Sequence, residues 1–399
     1  MRGAVLAIGT ELLLGDVVNS NAAWLGKQLA AAGVEVVASE ALADDLPVLV
    51  AAIRRHLEVV DVLVLSGGLG PTRDDLTREA VSAALDAPLA RAAAIESRLR
   101  DLFARWAREM PEAVLAQADV PAGAETLDNP AGTAPGLWLE RDGKVVVALP
   151  GPPPELHATS ATVWPRLAAM SGRVVTTRQV QVHGVGESAV AELVEPGLVL
   201  PDGVTLSYLA SGGLVRVRFT TSGDPAQLEP LVAHADAALG DAVWGHDGDT
   251  VESVVHASLL ARGETVAVAE SLTGGALSAA LTARPGTSST FRGGLVVYAT
   301  DLKVTLAGTD PETGAVSPET AAALAAGARD RLGATWGLAV TGVAGPDEQE
   351  GKPVGLVYAA VDGPSTEVLE VRLPGDRDRI RTLTVQTALH LLRRHLREA

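Results

Sequence analysis

The first 170 residues alternate between short apolar runs and longer amphipathic stretches. The apolar runs lie at residues 4–8, 34–39 and 61–65, and the amphipathic stretches lie at 19–32 and 45–57. The runs predict strands and the stretches predict helices, and Asp45 followed by Pro47 is a typical helix start. The run that ends at Leu65 is almost entirely apolar, which is typical of a central strand in a parallel sheet. This segment therefore predicts a doubly wound α/β domain.

The pattern becomes β-rich after residue 171 and alternates strands and helices again after residue 246. In the middle segment we expect a strand at 174–182, a helix opening at 184–188, a hairpin of 205–209 with 214–220, and a helix over 225–239. In the last segment we expect strands at 265–269, 294–298, 335–341, 354–361 and 367–373, and helices near 251–262, after Ser317 and from 375–377. The sequence thus predicts a multidomain α/β protein with a doubly wound domain at 1–170, a small α+β linker domain at 171–246 and an α/β domain at 247–399.

Composition narrows the class of protein. The chain has 399 residues, 47% of them hydrophobic, and no cysteine, so disulfides, thiolate metal sites and a cysteine nucleophile are excluded. No apolar run approaches the length of a membrane span, and we expect a cytoplasmic protein with no membrane partner. The net charge of −17 would repel phosphate backbones. Residues 171–246 are acidic as well, because they contain eight acidic residues and only four basic ones. Direct nucleic-acid binding is therefore not expected.

The most informative motif is the turn that follows the strand at 265–269. There Ser271 ends an apolar strand, Gly274 and Gly275 permit a tight turn, and an Ala/Leu-rich helix follows. Backbone N–H groups at such a helix start can hold an anion or an oxyanion. A desolvated, neutral Lys303 would accept the proton of Ser271, which makes the two residues a candidate nucleophile and base. The alternative is that Ser271 and Thr273 only cap the helix and that Lys303 is a solvated surface residue.

Glycine-rich loops elsewhere offer candidate binding sites. In the N-terminal half they carry Gly67, Gly68, Gly70, Thr72, Asn129, Gly132 and Thr133, and a further loop lies at 149–155. Neither a Gly-Lys-Ser/Thr phosphate loop nor a G-x-G-x-x-G fingerprint is present.

Asp74 and Asp75 are hard oxygen donors that suit Mg²⁺. The alternative is that Thr72 caps a helix starting at Asp74 and that both aspartates complement the dipole of this helix. In the C-terminal half, turns at 342–347 and 375–377 would complete a site if they converge on Ser271.

Together these motifs resemble those of the CinA family, the competence/damage-inducible protein A group. The resemblance rests on residues 9–21, 66–77, 129–136 and 149–155 in the first domain, on 270–275, Tyr298, Lys303, 341–346 and 375–377 in the last, and on 171–246 as a KH-type linker domain. It implies a molybdopterin-binding-like domain followed by a C-terminal amidase domain. The family often has cysteine where this chain has Leu272, a change that leaves a serine nucleophile possible.

For the C-terminal domain the resemblance implies hydrolysis of nicotinamide mononucleotide to nicotinate mononucleotide and ammonia, with no cofactor. Ser271 would be the nucleophile, Lys303 the base and acid, Tyr298 an orienting residue, and the N–H groups near Thr273 to Gly275 the oxyanion donors. The expected substrate-binding residues are Glu270, Gly274, Gly275, Thr341, Gly342, Ala344 and, for the phosphate, Arg377.

For the N-terminal domain the resemblance implies cleavage of ADP-ribose with a divalent cation such as Mg²⁺, and a link to K⁺. Asp74 and Asp75 are the expected metal ligands, and Glu11 and Asp44 are further candidates. The alternatives are a pterin-binding or vestigial domain here, and, for the whole chain, a non-enzymatic partner protein in competence or DNA repair. A homodimer is the expected assembly.

Overall fold

The computed structural model describes residues 1–398 and confirms a multidomain α/β fold. Three larger β-sheets and one two-stranded pair lie within these residues. The chain divides into two compact units: the first contains Met1–Thr176, Asp202–Val204 and Thr220–Ala226, and the second contains Thr177–Pro201, Thr205–Phe219 and the chain from Gln227 onward. In the part of the chain that the structure describes, no helix combines the length and the apolar character needed to cross a membrane.

The first segment contains eight strands and seven α-helices among the described residues. The strands are β1 (Arg2–Ile8), β2 (Glu35–Leu42), β3 (Val62–Ser66), β4 (Leu89–Arg91), β5 (Asp119–Pro121), β6 (Glu125–Leu127), β7 (Gly136–Arg141) and β8 (Lys144–Leu149). The helices are α1 (Thr10–Leu14), α2 (Ser20–Ala31), α3 (Leu46–Val59), α4 (Thr77–Ala84), α5 (Ala93–Arg105), α6 (Pro153–Thr159) and α7 (Val163–Ser171).

Six of these strands form one sheet in the order β2-β1-β3-β8-β7-β6, and β4 pairs with β5. The strands β2, β1, β3 and β8 are parallel, whereas β7 and β6 are antiparallel additions. Leu49 and Ile53 of α3 pack on one face of the sheet, and Leu25 and Leu29 of α2 pack on the other. Helices on both faces of a mainly parallel sheet are the doubly wound arrangement that the pattern predicts.

Two local predictions have different outcomes. Asp45 caps α3 as expected, because its side chain accepts a hydrogen bond from the N–H of Val48. The prediction that Thr72 caps a helix starting at Asp74 is wrong, because α4 begins at Thr77. The carboxylate of Asp75 accepts hydrogen bonds from the N–H groups of Gly70 and Thr72 and from the Thr72 hydroxyl, which holds this stretch in a turn.

The middle segment forms a four-stranded sheet in the order β10-β11-β9-β12. Its elements are β9 (Thr176–His183), α8 (Glu187–Val194), β10 (Val204–Ser211), β11 (Leu214–Thr221), α9 (Leu228–Leu239) and β12 (Val243–His246). The predicted hairpin corresponds to β10 and β11. The strand β12, which pairs antiparallel with β9, was not predicted.

The last segment forms a five-stranded sheet in the order β14-β13-β15-β16-β17. Its elements are α10 (Val251–Arg262), β13 (Val266–Glu270), α11 (Ala276–Thr282), β14 (Phe291–Val296), α12 (Thr300–Ala307), α13 (Pro318–Leu332), β15 (Trp336–Gly342), β16 (Leu356–Asp362), β17 (Glu367–Arg372) and α14 (Arg377–Glu398). The strands β14, β13 and β15 are parallel, and β16 and β17 continue antiparallel. Because β13 and β15 are parallel neighbours, the loops that follow them leave the same edge of the sheet.

Candidate active site

The turn that carries Ser271 lies directly at the carboxyl end of the fully buried strand β13. The N–H of Ser271 still donates to the carbonyl of Val340 on the neighbouring strand, at 3.1 Å, so the sheet fixes the backbone of this residue. Gly274 and Gly275 then take φ values of 58° and 100°, which favour glycine, and α11 begins at Ala276. The predicted strand, turn and helix are all present around the candidate nucleophile.

The carboxylate of Glu270 lies inside this turn and is completely buried. Its oxygens accept five hydrogen bonds, from the N–H groups of Gly275, Leu277 and Ser278 and from the hydroxyls of Thr273 and Ser278, at 2.6–3.0 Å. The carboxylate thus satisfies the free N–H groups at the start of α11 and complements the helix dipole. Glu270 was expected to bind substrate, but its side chain supports the turn. Thr273 was expected among the catalytic residues, and its hydroxyl also supports the turn, which leaves its backbone N–H as the group that could act.

Of the expected oxyanion donors, the N–H groups of Gly274 and Gly275 already have partners, whereas the N–H of Thr273 does not. The N–H of Gly275 is bound to Glu270, and the N–H of Gly274 donates to the carbonyl of Ser271 at 3.1 Å. Within residues 1–398, the N–H groups of Leu272 and Thr273 have no hydrogen-bond partner. The peptide N–H groups that remain without a partner therefore lie directly after Ser271, two residues before the glycine pair.

A cavity of about 180 Å³ brings the three predicted turns together. Its lining residues are Ser271, Leu272, Tyr298, Lys303, Val316, Gly342, Val343, Ala344, Gly345, Asp347, Gln349 and Arg377. Of the residues expected here, Ser271, Tyr298, Lys303, Gly342, Ala344 and Arg377 line the cavity. The side chain of Thr341 does not, because its hydroxyl donates to the carbonyl of Ala315 at 2.6 Å in the protein interior.

Lys303 is a buried lysine, only 3% exposed, and not the solvated surface residue of the alternative interpretation. Its Nζ donates to the carbonyl of Ala315 at 3.2 Å. Burial lowers the pKa of Lys303, because the charged ammonium is disfavoured away from water, and the negative charge of Glu350 partly opposes this effect. A lysine that loses its proton more easily than usual and lines the same cavity as Ser271 is a candidate general base.

Tyr298 and Arg377 form one side of the cavity mouth. The guanidinium of Arg377 donates to the Tyr298 hydroxyl at 2.8 Å and to the carbonyl of Gly345 at 2.6 Å. Tyr298 is 59% exposed, so this pair borders solvent rather than the buried end of the cavity. An arginine held in place at the mouth is suited to the phosphate of a substrate whose reactive end enters toward Ser271.

The sequence interpretation missed four residues around this cavity. Asp347 and Gln349 line it, and Glu350 accepts hydrogen bonds from the N–H groups of Ala315 and Val316. Arg381 donates to the carbonyls of Leu272 and Thr273. The polar segment 347–350 follows a glycine turn at the end of a strand. This position could have indicated that Asp347, Gln349 and Glu350 lie near the site. No local signal distinguishes Arg381 from the other arginines of α14.

In the N-terminal unit, loops from three parallel strands meet at one edge of the sheet. A side chain at Gly67 would collide with the carbonyl of Ile8, and a side chain at Gly151 would contact the backbone of Gly67. Gly132 has no room for a side chain because the Glu155 carboxylate lies there. The same carboxylate accepts from the amide of the buried Asn129 at 2.7 Å, which joins two of the predicted loops.

A second cavity, of about 110 Å³, lies at this edge. Its lining residues are Ala7, Ile8, Glu11, Leu12, Val17, Val18, Asn19, Ser20, Asn21, Ser66, Gly151 and Pro153. None of the predicted binding residues Gly67, Gly68, Gly70, Thr72, Asn129, Gly132 and Thr133 lines it, whereas the candidate metal ligand Glu11 does. The site prediction missed the polar lining residues Asn19, Ser20, Asn21 and Ser66. The amide of Asn21 donates to Ser66 Oγ and to the carbonyl of Gly151, and its buried Oδ1 has no partner among the described residues.

The candidate metal ligands do not form one cluster. Both oxygens of Asp75 accept hydrogen bonds from its own loop, and Asp44 accepts from the N–H and hydroxyl of Thr10 at 2.8 and 2.9 Å. Asp74 is exposed, and Glu11 lies at the cavity. No group of three or more histidine, aspartate or glutamate side chains in residues 1–398 is arranged to hold a metal ion. A cation here would therefore have one or two carboxylates of this chain and would need oxygens from a substrate.

Comparisons with known proteins agree with this organisation. Residues 248–396 match the family model described as "CinA C-terminal domain", and residues 4–169 match the one described as "Probable molybdopterin binding domain". A CinA-like protein of Frankia casuarinae is 47% identical to this chain, and the match covers 99% of this chain and 96% of that protein. A CinA-like protein of Solibacter usitatus is 40% identical, and the match covers 99% of this chain and 98% of that protein. The crystal structure of CinA from Thermoplasma acidophilum, at 34% identity and a TM-score of 0.40, covers 42% of this chain and 99% of its own.

The fold and the matched segments define a class of protein in which a molybdopterin-binding-like domain precedes a CinA C-terminal domain. The chain belongs to the CinA family, as the resemblance of its motifs indicated.

The buried carboxylate of Glu270 predicts a large effect on stability. We expect Glu270→Gln to lower the free energy of unfolding by at least about 2 kcal/mol, since each buried donor that loses its acceptor costs about 1–3 kcal/mol. Urea unfolding followed by circular dichroism measures this change. The matched control is Glu319→Gln, which alters an exposed carboxylate in the first turn of α13 and should change stability by less than about 0.5 kcal/mol. Equal stability of the two variants would contradict the supporting role of Glu270.

Proposed function

We propose that the C-terminal domain is an amidase that hydrolyses the carboxamide of nicotinamide mononucleotide to nicotinate mononucleotide and ammonia. The observation that carries this proposal is that Ser271 and the buried Lys303 line the same cavity, with Arg377 at its mouth. A site of this kind provides a nucleophile, a base of lowered pKa and a cation for a phosphate. Membership of the CinA family is consistent with this activity but does not specify it.

The reaction begins when Ser271 Oγ attacks the carboxamide carbon and neutral Lys303 accepts the hydroxyl proton. The carbonyl oxygen becomes an oxyanion, which the N–H groups of Leu272 and Thr273, unpartnered in residues 1–398, would stabilise. Lys303 then returns the proton to the amide nitrogen, the C–N bond breaks and ammonia leaves. Water, deprotonated by Lys303, hydrolyses the resulting acyl ester and releases the carboxylate product and the free serine.

Burial of Lys303 supports the order of proton transfers. The Nζ atom donates to the carbonyl of Ala315, and a protonated ammonium would be poorly solvated at this position. The lysine is therefore neutral more often than an exposed lysine at the same pH, and it regains its neutral form when the proton moves to the leaving ammonia. Arg377 would hold the phosphate. Tyr298, whose hydroxyl accepts a hydrogen bond from Arg377, would fix the orientation of the arginine.

The central prediction concerns Ser271→Ala. Removing the nucleophilic hydroxyl should reduce the rate of ammonia release from nicotinamide mononucleotide by at least about a thousandfold. The control is Ser288→Ala, which removes an exposed hydroxyl from the same domain and should leave the rate unchanged. Folding of both variants is checked by circular dichroism. Undiminished release by folded Ser271→Ala would remove the assigned nucleophile, and no release by folded wild type would favour a non-enzymatic partner protein.

The lowered pKa of Lys303 predicts the pH dependence of kcat/KM. The base must be neutral, so kcat/KM should rise with pH and reach half its maximum below the ordinary lysine pKa of about 10.4. Glu350 favours the protonated lysine, so Glu350→Gln should move this rise to lower pH. Glu348→Gln, the same change at an exposed neighbour, should leave the profile in place. A pH profile that is identical in Glu350→Gln and wild type would contradict the role of Lys303 as the base.

We propose a second, metal-dependent activity in the N-terminal domain: cleavage of the pyrophosphate of ADP-ribose. Supporting observations are the convergence of three loops at the carboxyl ends of parallel strands and the cavity beside Asn21 and Glu11. This edge of a doubly wound sheet is where such folds bind ligands. A divalent cation held by the exposed Asp74, which does not line the cavity, and by substrate oxygens would neutralise the phosphates. Asn21, whose Oδ1 is unpartnered among the described residues, would orient the part of the substrate inside the cavity.

Hydrolysis of ADP-ribose to AMP and ribose 5-phosphate tests this activity. We expect hydrolysis with Mg²⁺, loss of activity with a chelator, and at least a tenfold decrease in Asp74→Asn, because one of few available carboxylates is removed. Asp101→Asn, an exposed aspartate of α5, is the control and should retain the wild-type rate. Activity that survives complete metal removal, or that is equal in the two variants, would contradict the proposal.

A further inference from the structure

Arg381 of α14 binds the turn that carries the candidate nucleophile, although it does not line the cavity. Its Nε donates to the carbonyl of Leu272 at 3.1 Å, and one terminal nitrogen donates to the carbonyl of Thr273 at 2.9 Å. The other terminal nitrogen lies 3.7 Å from the carboxylate of Asp378. The planar guanidinium thus spans two successive peptide carbonyls, a geometry that one ammonium group does not reproduce.

These contacts determine where the backbone N–H groups of the turn point. A peptide unit is planar and trans, so its N–H points opposite to its C=O. Arg381 fixes the carbonyl of Leu272 and with it the N–H of Thr273. The carbonyl of Ser271 accepts from the N–H of Gly274, which fixes the N–H of Leu272 in the same way. Two consecutive N–H groups directly after the nucleophile are therefore held in place without a partner in residues 1–398.

We propose that Arg381 is a positioning residue for the oxyanion-binding N–H groups. It orients the N–H of Thr273 directly, through the carbonyl of Leu272. It supports the N–H of Leu272 only through Gly274, because Arg381 binds the Thr273 carbonyl of the peptide unit whose Gly274 N–H holds the Ser271 carbonyl. This inference rests on the amidase proposed above and deepens it. It separates two arginines of one helix: Arg377 lines the cavity and would bind the substrate phosphate, whereas Arg381 does not line the cavity and binds two carbonyls of the turn. Arg381 acts on the reaction through the peptide units that it holds.

The test compares Arg381→Met, Arg381→Lys and Arg379→Met in steady-state hydrolysis of nicotinamide mononucleotide. Loss of one oxyanion donor typically lowers kcat by 10²–10³-fold, so a misoriented donor in Arg381→Met should lower kcat by about 10–100-fold. KM should change by less than about threefold, because no substrate contact is lost. Arg381→Lys, which keeps one donor, should recover part of kcat, and the exposed control Arg379→Met should match wild type.

A purely structural or phosphate-binding role gives different results. Reduced thermal stability with wild-type kcat in Arg381→Met would overturn the proposal, and so would a rise in KM with kcat unchanged. A kcat that falls equally in Arg381→Met and Arg379→Met would also overturn it. If Arg381→Met does not fold, the kcat and KM of Arg381→Lys decide the question by the same criteria.

A second measurement separates this proposal from the choice of substrate. A phosphonofluoridate reacts with an activated serine by forming an Oγ–P bond and releasing fluoride, and its developing oxyanion needs the same N–H groups. If the reagent modifies Ser271 of the wild type but the wild type does not hydrolyse nicotinamide mononucleotide, only the proposed substrate is contradicted. Modification should then be about 10–100-fold slower in Arg381→Met. Equal modification rates in Arg381→Met and wild type would overturn the role of Arg381, and a wild type that reacts with neither compound would overturn both proposals.

Discussion

The carboxylate of Glu270 is the interaction on which the candidate active site depends. A buried strand, a glycine turn and a helix start meet at Ser271, and the N–H groups of that helix start need acceptors away from water. Glu270 satisfies three of these N–H groups and two hydroxyls with one buried side chain. The two N–H groups directly after Ser271, those of Leu272 and Thr273, do not belong to this set and have no partner in residues 1–398.

The remaining parts of the site are held by anchors from distant segments. Arg381 holds the carbonyls of the turn from α14, and the carbonyl of Ala315 accepts both Lys303 Nζ and the Thr341 hydroxyl. Glu350 fixes the N–H of the same Ala315 and adds the negative charge that limits the fall in the Lys303 pKa. The proposed nucleophile, base and oxyanion donors are therefore held by two sets of hydrogen bonds, one around the Ser271 turn and one around Ala315.

Local interactions were predictable from the sequence, whereas contacts between distant segments were not. The caps of Asp45 and Ser317 depend on residues three positions apart, and the strand before Ser271 is a continuous apolar run up to Ala269. Cavity-lining by Ser271 and Lys303 followed from the family motif, because spacing alone does not indicate the burial of a lysine. Arg381 lies 109 positions from Leu272, and no pattern in α14 specifies such a contact. The start of α4 was misplaced because Asp75 accepts hydrogen bonds from its own loop.

The most direct test of the account is mass spectrometry of the protein quenched with acid during turnover of nicotinamide mononucleotide. The account predicts an acyl adduct of nicotinate mononucleotide on the peptide that contains Ser271, and more of it at early times than at equilibrium. Hydroxylamine should intercept this ester and yield the hydroxamate of the product. Turnover with an adduct on another residue, or with neither adduct nor hydroxamate at saturating substrate, would contradict covalent catalysis by Ser271.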